Sequence, residues 1–553
     1  MSASPVPPSG AENRPVVIPV VPSVRGRWKI GAALFAVACL AQAILWTMWW
    51  EDPTHFKMSI LFVWPAAIFF LLIWWTFFSG WSAKVRFGSV AAGFAAIVVF
   101  FSIFRLERFD GDMIPTRVVL RSTPSAGQKA RQYLEQLKTK TPAELVPAAE
   151  AETAQPLVAT DGDWPGYRGP ARDGVLRDVT LRTDWSARPP KQLWRHPVGK
   201  AWSSFAVVDD LAFTQEQRDD SEAVVAYRFS TGEQVWAHLD KALLKASDAQ
   251  GGIGPRATPQ FDDGRLYSLG GTGLLNCLDA RNGRVEWWAD ILKDAGTPDK
   301  PAPNLGWGMA GSPLVVDGLV IVQPGGINGH SVAAYDARSG RLKWSAGDRL
   351  TSYGSPRVEV IQGVKQVLAL QGEGLSGHAL DNGHELWFFP WANDPKVNAA
   401  QPTVLPDGSV AFGCGYGVGT VRIDVRSEKG LWTAKQRWHS NRFRPKFNDF
   451  VVREGHLYGL DDGTLICLDL ETGKVQWKSG RYGYGQLLLV GNVLLILSED
   501  GQAVLVPATP TKPEPLASFQ ALDENGITWN HPVLVRGKLL VRNGHEAACF
   551  ELE

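Results

Sequence analysis

Cysteine is scarce in this chain: five residues in 553, scattered, odd in number and without a C-x-x-C pair. That pattern excludes a disulfide framework, and the absence of C-x-x-C-H excludes covalently attached c-type haem. Cys39 lies in an apolar run, and Cys277, Cys467 and Cys549 each stand one or two residues before a recurring acidic position, so all four read as small apolar residues. Net charge is absent as well. Fifty-six Lys plus Arg balance 56 Asp plus Glu, which leaves no basic excess for holding nucleic acid. The ten histidines show no metal-ligand spacing, and His378 with His384 straddle a turn and are expected to face solvent. Helical periodicity is missing from the strand-like region after Trp164. The glycine-rich stretches Gly270-Gly-Thr-Gly273 and Gly413–Gly419 have no helix behind them, as a phosphate-cradling loop requires, and read as turns.

Tryptophan and glycine are plentiful, at 23 and 56 residues. Three apolar runs come first: Trp28–Trp50, Met58–Gly80 and Phe87–Phe104. Each approaches or meets the ~20 residues a helix needs to cross a bilayer, and tryptophans cluster near their ends. Arg14, Arg25, Arg27 and Lys29 precede the first run, and Lys84 and Arg86 lie between the second and third. The positive-inside rule then puts the N-terminus in the cytoplasm and everything after Phe104 on the far side. The resulting division is a cytoplasmic disordered tail (1–27), a three-helix transmembrane anchor (28–104), a connector and linker (105–163) and a repeat region (164–553). Within the connector, Gln128–Lys138 has helical spacing, and Thr141–Asp163 has linker composition.

The repeat is clearest at Leu465–Trp477, where a strand, a turn centred on Thr472-Gly473 and a second strand ending in tryptophan follow one another. Asp279, Gly283 and Trp287 keep the spacing of Asp469, Gly473 and Trp477, as do Asp336, Gly340 and Trp344. Gly232 with Trp236 and Gly383 with Trp387 keep the glycine and tryptophan alone. The aromatics Trp194, Trp236, Trp287, Trp344, Trp387, Trp432, Trp477 and Phe519 recur at intervals of 42 to 57 residues. Such intervals fit four-stranded propeller blades of about 40–50 residues each. The last unit has three strand signals after Phe519, and Lys191–Val198 can supply its fourth. The fold expected is an all-β, eight-bladed propeller behind three transmembrane helices; seven blades is the other count, because the fifth unit ends irregularly.

Leu-Asp-Ala-Arg-Asn-Gly-Arg-Val-Glu-Trp at 278–287 and Leu-Asp-Leu-Glu-Thr-Gly-Lys-Val-Gln-Trp at 468–477 resemble the tryptophan-docking repeats of PQQ-type propellers. The opening Trp164–Gly174 is similar to that of the PQQ-binding-like β-propeller repeat proteins of bacteria. That superfamily includes quinoprotein dehydrogenases and the non-catalytic outer-membrane assembly factor BamB. The resemblance implies that Trp236, Trp287, Trp344, Trp387 and Trp477 pack between blades, with Gly232, Gly283, Gly340, Gly383 and Gly473 in the turns. It also implies that ligands sit at a propeller mouth, for which Arg256, Trp307, Tyr353, Asn398, Arg444, Lys446, Trp529 and Asn530 are the candidate lining.

A quinoprotein dehydrogenase needs calcium held by carboxylate and amide oxygens and an aspartate as base. Those positions hold no carboxylate, and the nearest acids, Asp394 and Asp449, read as solvent-facing. Arg437, Arg442, Arg444 and Lys446 form the chain's best basic cluster and read as a solvated loop. The expected role is a non-catalytic, BamB-like scaffold on a bacterial inner membrane, with its propeller in the periplasm and proteins or peptides as partners. The alternative is a PQQ- and calcium-dependent dehydrogenase feeding membrane quinone. A reporter fused after Glu553 should be active only when it is a type that works outside the cytoplasm; a signal from a cytoplasmic reporter contradicts three crossings.

Overall fold

The turn within each repeat shows how the sequence shapes a blade. Asp469 accepts hydrogen bonds at one carboxylate oxygen from the backbone N–H and the hydroxyl of Thr472, both at 2.7 Å. Gly473 N–H closes the turn onto the Asp469 carbonyl at 2.8 Å, with φ at +69°. An aspartate that satisfies its own turn and a glycine that tolerates positive φ are what such a bend needs. Asp336 does the same for Ser339, and Asp279 for the N–H of Arg281.

The computed structural model describes residues 28–48, 53–112, 114–138, 157–245, 251–296, 306–326 and 329–552. The tail at 1–27 and linker residues 139–156 lie outside them. The chain forms two units, Met1–Ser102 and Ile103–Glu553.

The first unit consists of helices α1 (Trp28–Met48), α2 (Pro53–Phe78) and α3 (Ala83–Ile103). All three are long and apolar enough to cross a membrane. Gly31 of α1 lies against the Trp74 ring of α2, and Gln42 donates to Ser59 at 2.8 Å. Trp75 of α2 donates to Ser89 of α3 at 2.7 Å. Close approach at glycine and a few polar clasps are how helices associate in lipid.

The second unit is a propeller of eight four-stranded antiparallel blades. Blades 1 to 7 run consecutively over 206–240, 260–290, 314–346, 357–390, 403–440, 451–481 and 486–520. Blade 8 takes three strands from 533–551, and its fourth is Lys191–Pro197, from the start of the region. There Cys549 stands opposite Trp194. Arg542, fully buried, bridges this seam by donating to Gly199 O, Gln215 O and Thr214 Oγ1 in or beside blade 1. Drawing one blade from both ends of the chain removes the open edge that would otherwise invite pairing with another molecule.

Neighbouring blades are joined by the tryptophans. Trp194, Trp236, Trp287, Trp344, Trp438 and Trp477 each donate from Nε1 to a carbonyl of the following blade, Phe229, Ala280, Ala337, Leu380, Leu470 and Thr509, at 2.9–3.1 Å. Trp438, and not the landmark Trp432, is the tryptophan that reaches blade 6, because the last two strands of blade 5 are ten residues each and run past the usual turn. Trp387 departs from the pattern. It packs between blades 4 and 5, yet donates to Gln366 of its own blade at 2.7 Å. The docking carbonyl sits beside the glycine turn, and in blade 5 that turn, Lys429-Gly430, lies at the far end of the extended hairpin, where a Cβ on Gly430 would meet nothing within 4 Å.

Five of the six docking indoles also cover the glycine of the next blade's turn: Trp194 over Gly232, Trp236 over Gly283, Trp287 over Gly340, Trp344 over Gly383 and Trp438 over Gly473. A Cβ on Gly283 would lie 2.5 Å from the Trp236 ring, whereas one on Gly363, which has the same sign of φ, would meet nothing within 4 Å. Gly283→Ala should therefore cost roughly 2–4 kcal/mol in urea unfolding, the sum of left-handed strain and overpacking, against about 1 kcal/mol for Gly363→Ala. Equal losses would show that the indole does not set the cost.

Candidate functional site

Innermost strands of a propeller have one edge free, facing the channel. Here a lead-in segment, 164–176, runs along those edges. Trp164 exchanges backbone hydrogen bonds with Val207 of blade 1 at 2.8 and 2.7 Å, and Pro165 O accepts from Phe261 of blade 2. Val175–Leu176 pairs in parallel with the innermost strand of blade 7. Arg172 donates to Ser312 O and Pro313 O of the blade 3 lead and to Gln260 of blade 2, and its own carbonyl accepts from Arg357 of blade 4. Tyr167 donates to Asp449 at 2.5 Å and meets the His531 ring edge to face, 5.0 Å between centroids.

Asp449 is thus buried at the centre, not solvent-facing. Besides Tyr167 it accepts from Gln401 N–H at 2.6 Å and His531 Nε2 at 3.1 Å, and it pairs with Arg168 at 3.5 Å. Burial opposes its ionisation, but the Arg168 guanidinium and the His531 bond prevail and hold its pKa well below the usual carboxylate range. Burial lowers the His531 pKa in spite of the aspartate, and lowers that of Arg172 to about 10. Asp394, by contrast, is exposed.

At one mouth, just before the innermost strands, the eight candidate residues fall into distinct settings. Arg256 turns back on its own loop, donating to Gly252 O and Gly254 O. Burial brings its pKa to about 10, and the Tyr353 phenol and the Glu222 carboxyl are its titratable neighbours. Trp307 packs edge to face on Tyr353 at 5.3 Å. Asn398 is fully buried and braces backbone, donating to Gln371 O at 2.6 Å and Trp391 O at 3.2 Å. Asn530 does likewise with Ser203 O at 2.7 Å. Arg444 is paired with Asp461 at 3.0 Å and Asp462 at 3.1 Å.

Lys446 and Trp529 do come together, through a segment that composition had marked as connector. Residues Phe104–Phe109 (β1) and Pro115–Leu120 (β2) form an antiparallel hairpin whose tip, Asp110-Gly111-Asp112, sits in the mouth. Lys446 Nζ donates to Asp112 Oδ1 and to Gly111 O, both at 2.9 Å, and Tyr484 OH donates to Asp112 Oδ1 at 2.6 Å. Gly111 N–H donates to Glu499 Oε1 at 3.1 Å, the oxygen that also accepts from Trp529 Nε1 at 2.8 Å. Lys446 lies over the rings of Tyr484 and Tyr416 at 4.9 and 5.3 Å. Phe447 packs between Tyr484 and Trp529, 5.0 Å from each. The hairpin is followed by helix α4 (Ala126–Lys138), whose Tyr133 stacks on His196.

Three members of the basic cluster are therefore not solvated, while Arg442 is exposed as expected. Arg437 is bound to Asp424 and Asp407, Arg444 to two buried aspartates, and Lys446 to Asp112. His378 also departs from expectation. It is fully buried, with Nδ1 2.9 Å from Gly383 O and Nε2 2.9 Å from Ser376 Oγ. The Gly270–Gly273 turn holds a carboxyl group after all, an internal one: Gly271 N–H donates to Glu222 at 3.0 Å. Sequence reasoning missed Asp112, Glu499 and Tyr416. The available signal for the first was Asp110-Gly111 between two strand-like stretches, a common hairpin turn pair. Among the described residues no group of three or more His, Cys, Asp or Glu is placed to hold a metal ion. The Cys277 thiol is pushed up to about 12 by burial, which leaves it inert as a nucleophile.

With this geometry in view, the class is plain: an eight-bladed propeller with tryptophan docking. Residues 220–479 match the family described as outer membrane protein assembly factor BamB. The chain is 33% identical over 267 residues to the quinohemoprotein alcohol dehydrogenase ADH-IIG of Pseudomonas putida, covering 45% of this chain and 32% of that enzyme. It is 23% identical over 326 residues to BamB of Yersinia pestis, covering 57% and 67%. The match thus spans about a third of the dehydrogenase's length. The solved structure of ADHIIG from Pseudomonas putida HK5 superposes with a TM-score of 0.50 at 14% identity, over 72% of this chain and 83% of that one; that likeness concerns the fold alone. The chain is thus similar to the PQQ-like repeat propellers of the quinoprotein alcohol dehydrogenase-like superfamily.

Two buried carboxyls should respond oppositely to pH. Burial raises Glu222 from 4.5 to about 7. Its protonated form contributes stability that is complete below pH 4.5 and lost as pH rises through about 7. Glu222→Gln should accordingly raise the unfolding midpoint at pH 8 and match the parent below pH 4.5. Asp449→Asn should lose roughly 3–5 kcal/mol at pH 8, because it strands Arg168 and His531. Urea melts at the two pH values check both; a stabilised Asp449→Asn protein contradicts the ion network.

Proposed function

We propose that this protein is a membrane-anchored scaffold whose extracytoplasmic propeller binds protein partners and carries out no redox chemistry. The observation that carries the reading is the occupied centre: the lead-in segment bonds the inner strands of blades 1, 2 and 7 and reaches blades 3 and 4 through Arg172, and the hairpin tip is bound by Lys446, Tyr484 and Glu499. A ring closed inside leaves its outer surfaces for partners. One is the long hairpin of blade 5, with Leu431 at its tip 75% exposed; another is the outer strand of blade 2, with Trp288 64% exposed. The three apolar helices supply the anchor, and the basic residues before α1 and between α2 and α3 favour a cytoplasmic N-terminus with a periplasmic propeller. The BamB relatives are consistent with protein partners.

The segment 33% identical to a quinohemoprotein dehydrogenase favours a second reading, a PQQ-dependent oxidoreductase. The residues present do not suit that group. A planar anionic quinone needs free cations at the mouth, but Arg444 and Lys446 already face Asp461, Asp462 and Asp112. Calcium needs convergent carboxylate and amide oxygens, whereas Glu499 accepts from Trp529 and Gly111 and Asp449 is bound to Arg168, Tyr167 and His531.

The full chain in detergent, supplied with pyrroloquinoline quinone, calcium and primary alcohols, should reduce an acceptor dye no faster than a heat-inactivated control. Turnover that disappears in Lys446→Met would make the protein an enzyme and remove the scaffold reading.

A further inference from the structure

The hairpin tip meets the propeller as a ligand meets a receptor. Its three kinds of polar group are read by three side chains: the Gly111 N–H by Glu499, the Gly111 carbonyl by Lys446, and the Asp112 carboxylate by Lys446 and Tyr484. Asp112 is 1% exposed and Lys446 4%. Gly111 lies so close to the Tyr484 ring that a Cβ there would overlap it. Asp110 has a separate task. Its carboxylate accepts from the N–H groups of Asp112 and Ile114 at 3.0 Å each, which shapes the turn that presents Asp112.

The rest of the hairpin provides little to hold it. Its ladder has two irregularities in register, and Leu106, Val118 and Leu120 are exposed. A two-stranded hairpin is marginal by itself, so its seat is decided by the tip and by the bond from Arg108 to Glu524 O at 2.7 Å. Removing the tip would leave Lys446 buried without its carboxylate, a costly state. The tip therefore leaves readily only in exchange for another acid, and Glu499 and Tyr484 add the demand for a slim backbone with a free N–H.

We propose that the mouth bounded by Lys446, Tyr484, Glu499 and Trp529 is a recognition site for an acidic Gly-Asp turn of a partner protein, held shut in cis by Asp110-Gly111-Asp112. The identity of the displacing ligand rests on the scaffold reading; the cis contact does not.

The test uses the full chain in detergent and a fluorescein-labelled heptapeptide with the sequence of residues 109–115, beside the same peptide carrying Asn in place of its second Asp. Asp112→Ala should bind the acidic peptide at least tenfold more tightly than the parent protein does, and adding Lys446→Met should abolish that binding. The Asn peptide should bind at least tenfold more weakly. On the unmodified protein, saturating acidic peptide should speed amide hydrogen exchange across 108–112, a readout that needs no variant to fold. Equal affinity for parent and Asp112→Ala, equal affinity for the two peptides, or unchanged exchange would each overturn the proposal. Dye reduction by Asp112→Ala with quinone and calcium would instead overturn the scaffold reading and leave the cis contact standing.

Discussion

Eight innermost strands, each with one unpaired edge turned toward a common axis, are the constraint to which the rest of this propeller answers. Unpaired backbone groups away from water are expensive, and a ring of eight sheets sets them around a wide channel. For three of the eight the chain meets this with its own lead-in segment, which bridges Val207 of blade 1, accepts from Phe261 of blade 2 and pairs with Leu489 and Val490 of blade 7. Once backbone fills the channel, its side chains are buried too. That is why Arg168 and Arg172 are found with almost no exposure and why Asp449 is buried among them. The central charges come with that segment: Arg168 is paired with Asp449, and Arg172 is held by neutral oxygens of Gln260, Ser312 and Pro313.

The same economy governs the mouth. Three cations that look like a patch in the sequence, Arg437, Arg444 and Lys446, are each consumed by carboxylates from elsewhere in the fold. Glu222 and Asp449 illustrate the two fates of a buried acid. One is surrounded by backbone N–H groups too few to offset burial and favours its proton; the other faces a guanidinium and gives it up. Neither arrangement leaves a carboxylate or a cation waiting for a cofactor.

The blades were legible because their rules are local. Asp469, Thr472 and Gly473 specify a turn within five residues, and Trp477 repeats at the period of a blade. The partner strand Lys191–Pro197 could be inferred by counting strands, as could the number eight. What escaped depends on partners far away in sequence. Asp449 meets Tyr167 across 282 positions and Lys446 meets Asp112 across 334, and no local pattern announces either. The repeat interval points to Trp432 where Trp438 docks, because blade 5 extends its last two strands beyond the repeat. His378 was placed outside because a turn lies nearby, yet its ring points inward to Ser376.

Blade 8 has an implication for the time course of synthesis. Arg195 in its outer strand bonds Glu546 in its third strand, 351 positions later. At about 5–20 residues per second, the first-made strand waits on the order of tens of seconds for its partner to emerge. Throughout that interval the nascent chain carries an unmatched strand at its leading end and a growing, unclosed arc of blades behind it. Closure needs Glu546–Glu551 against Lys191–Pro197, so a chain interrupted inside that third strand would keep nearly every blade and still lack the ring.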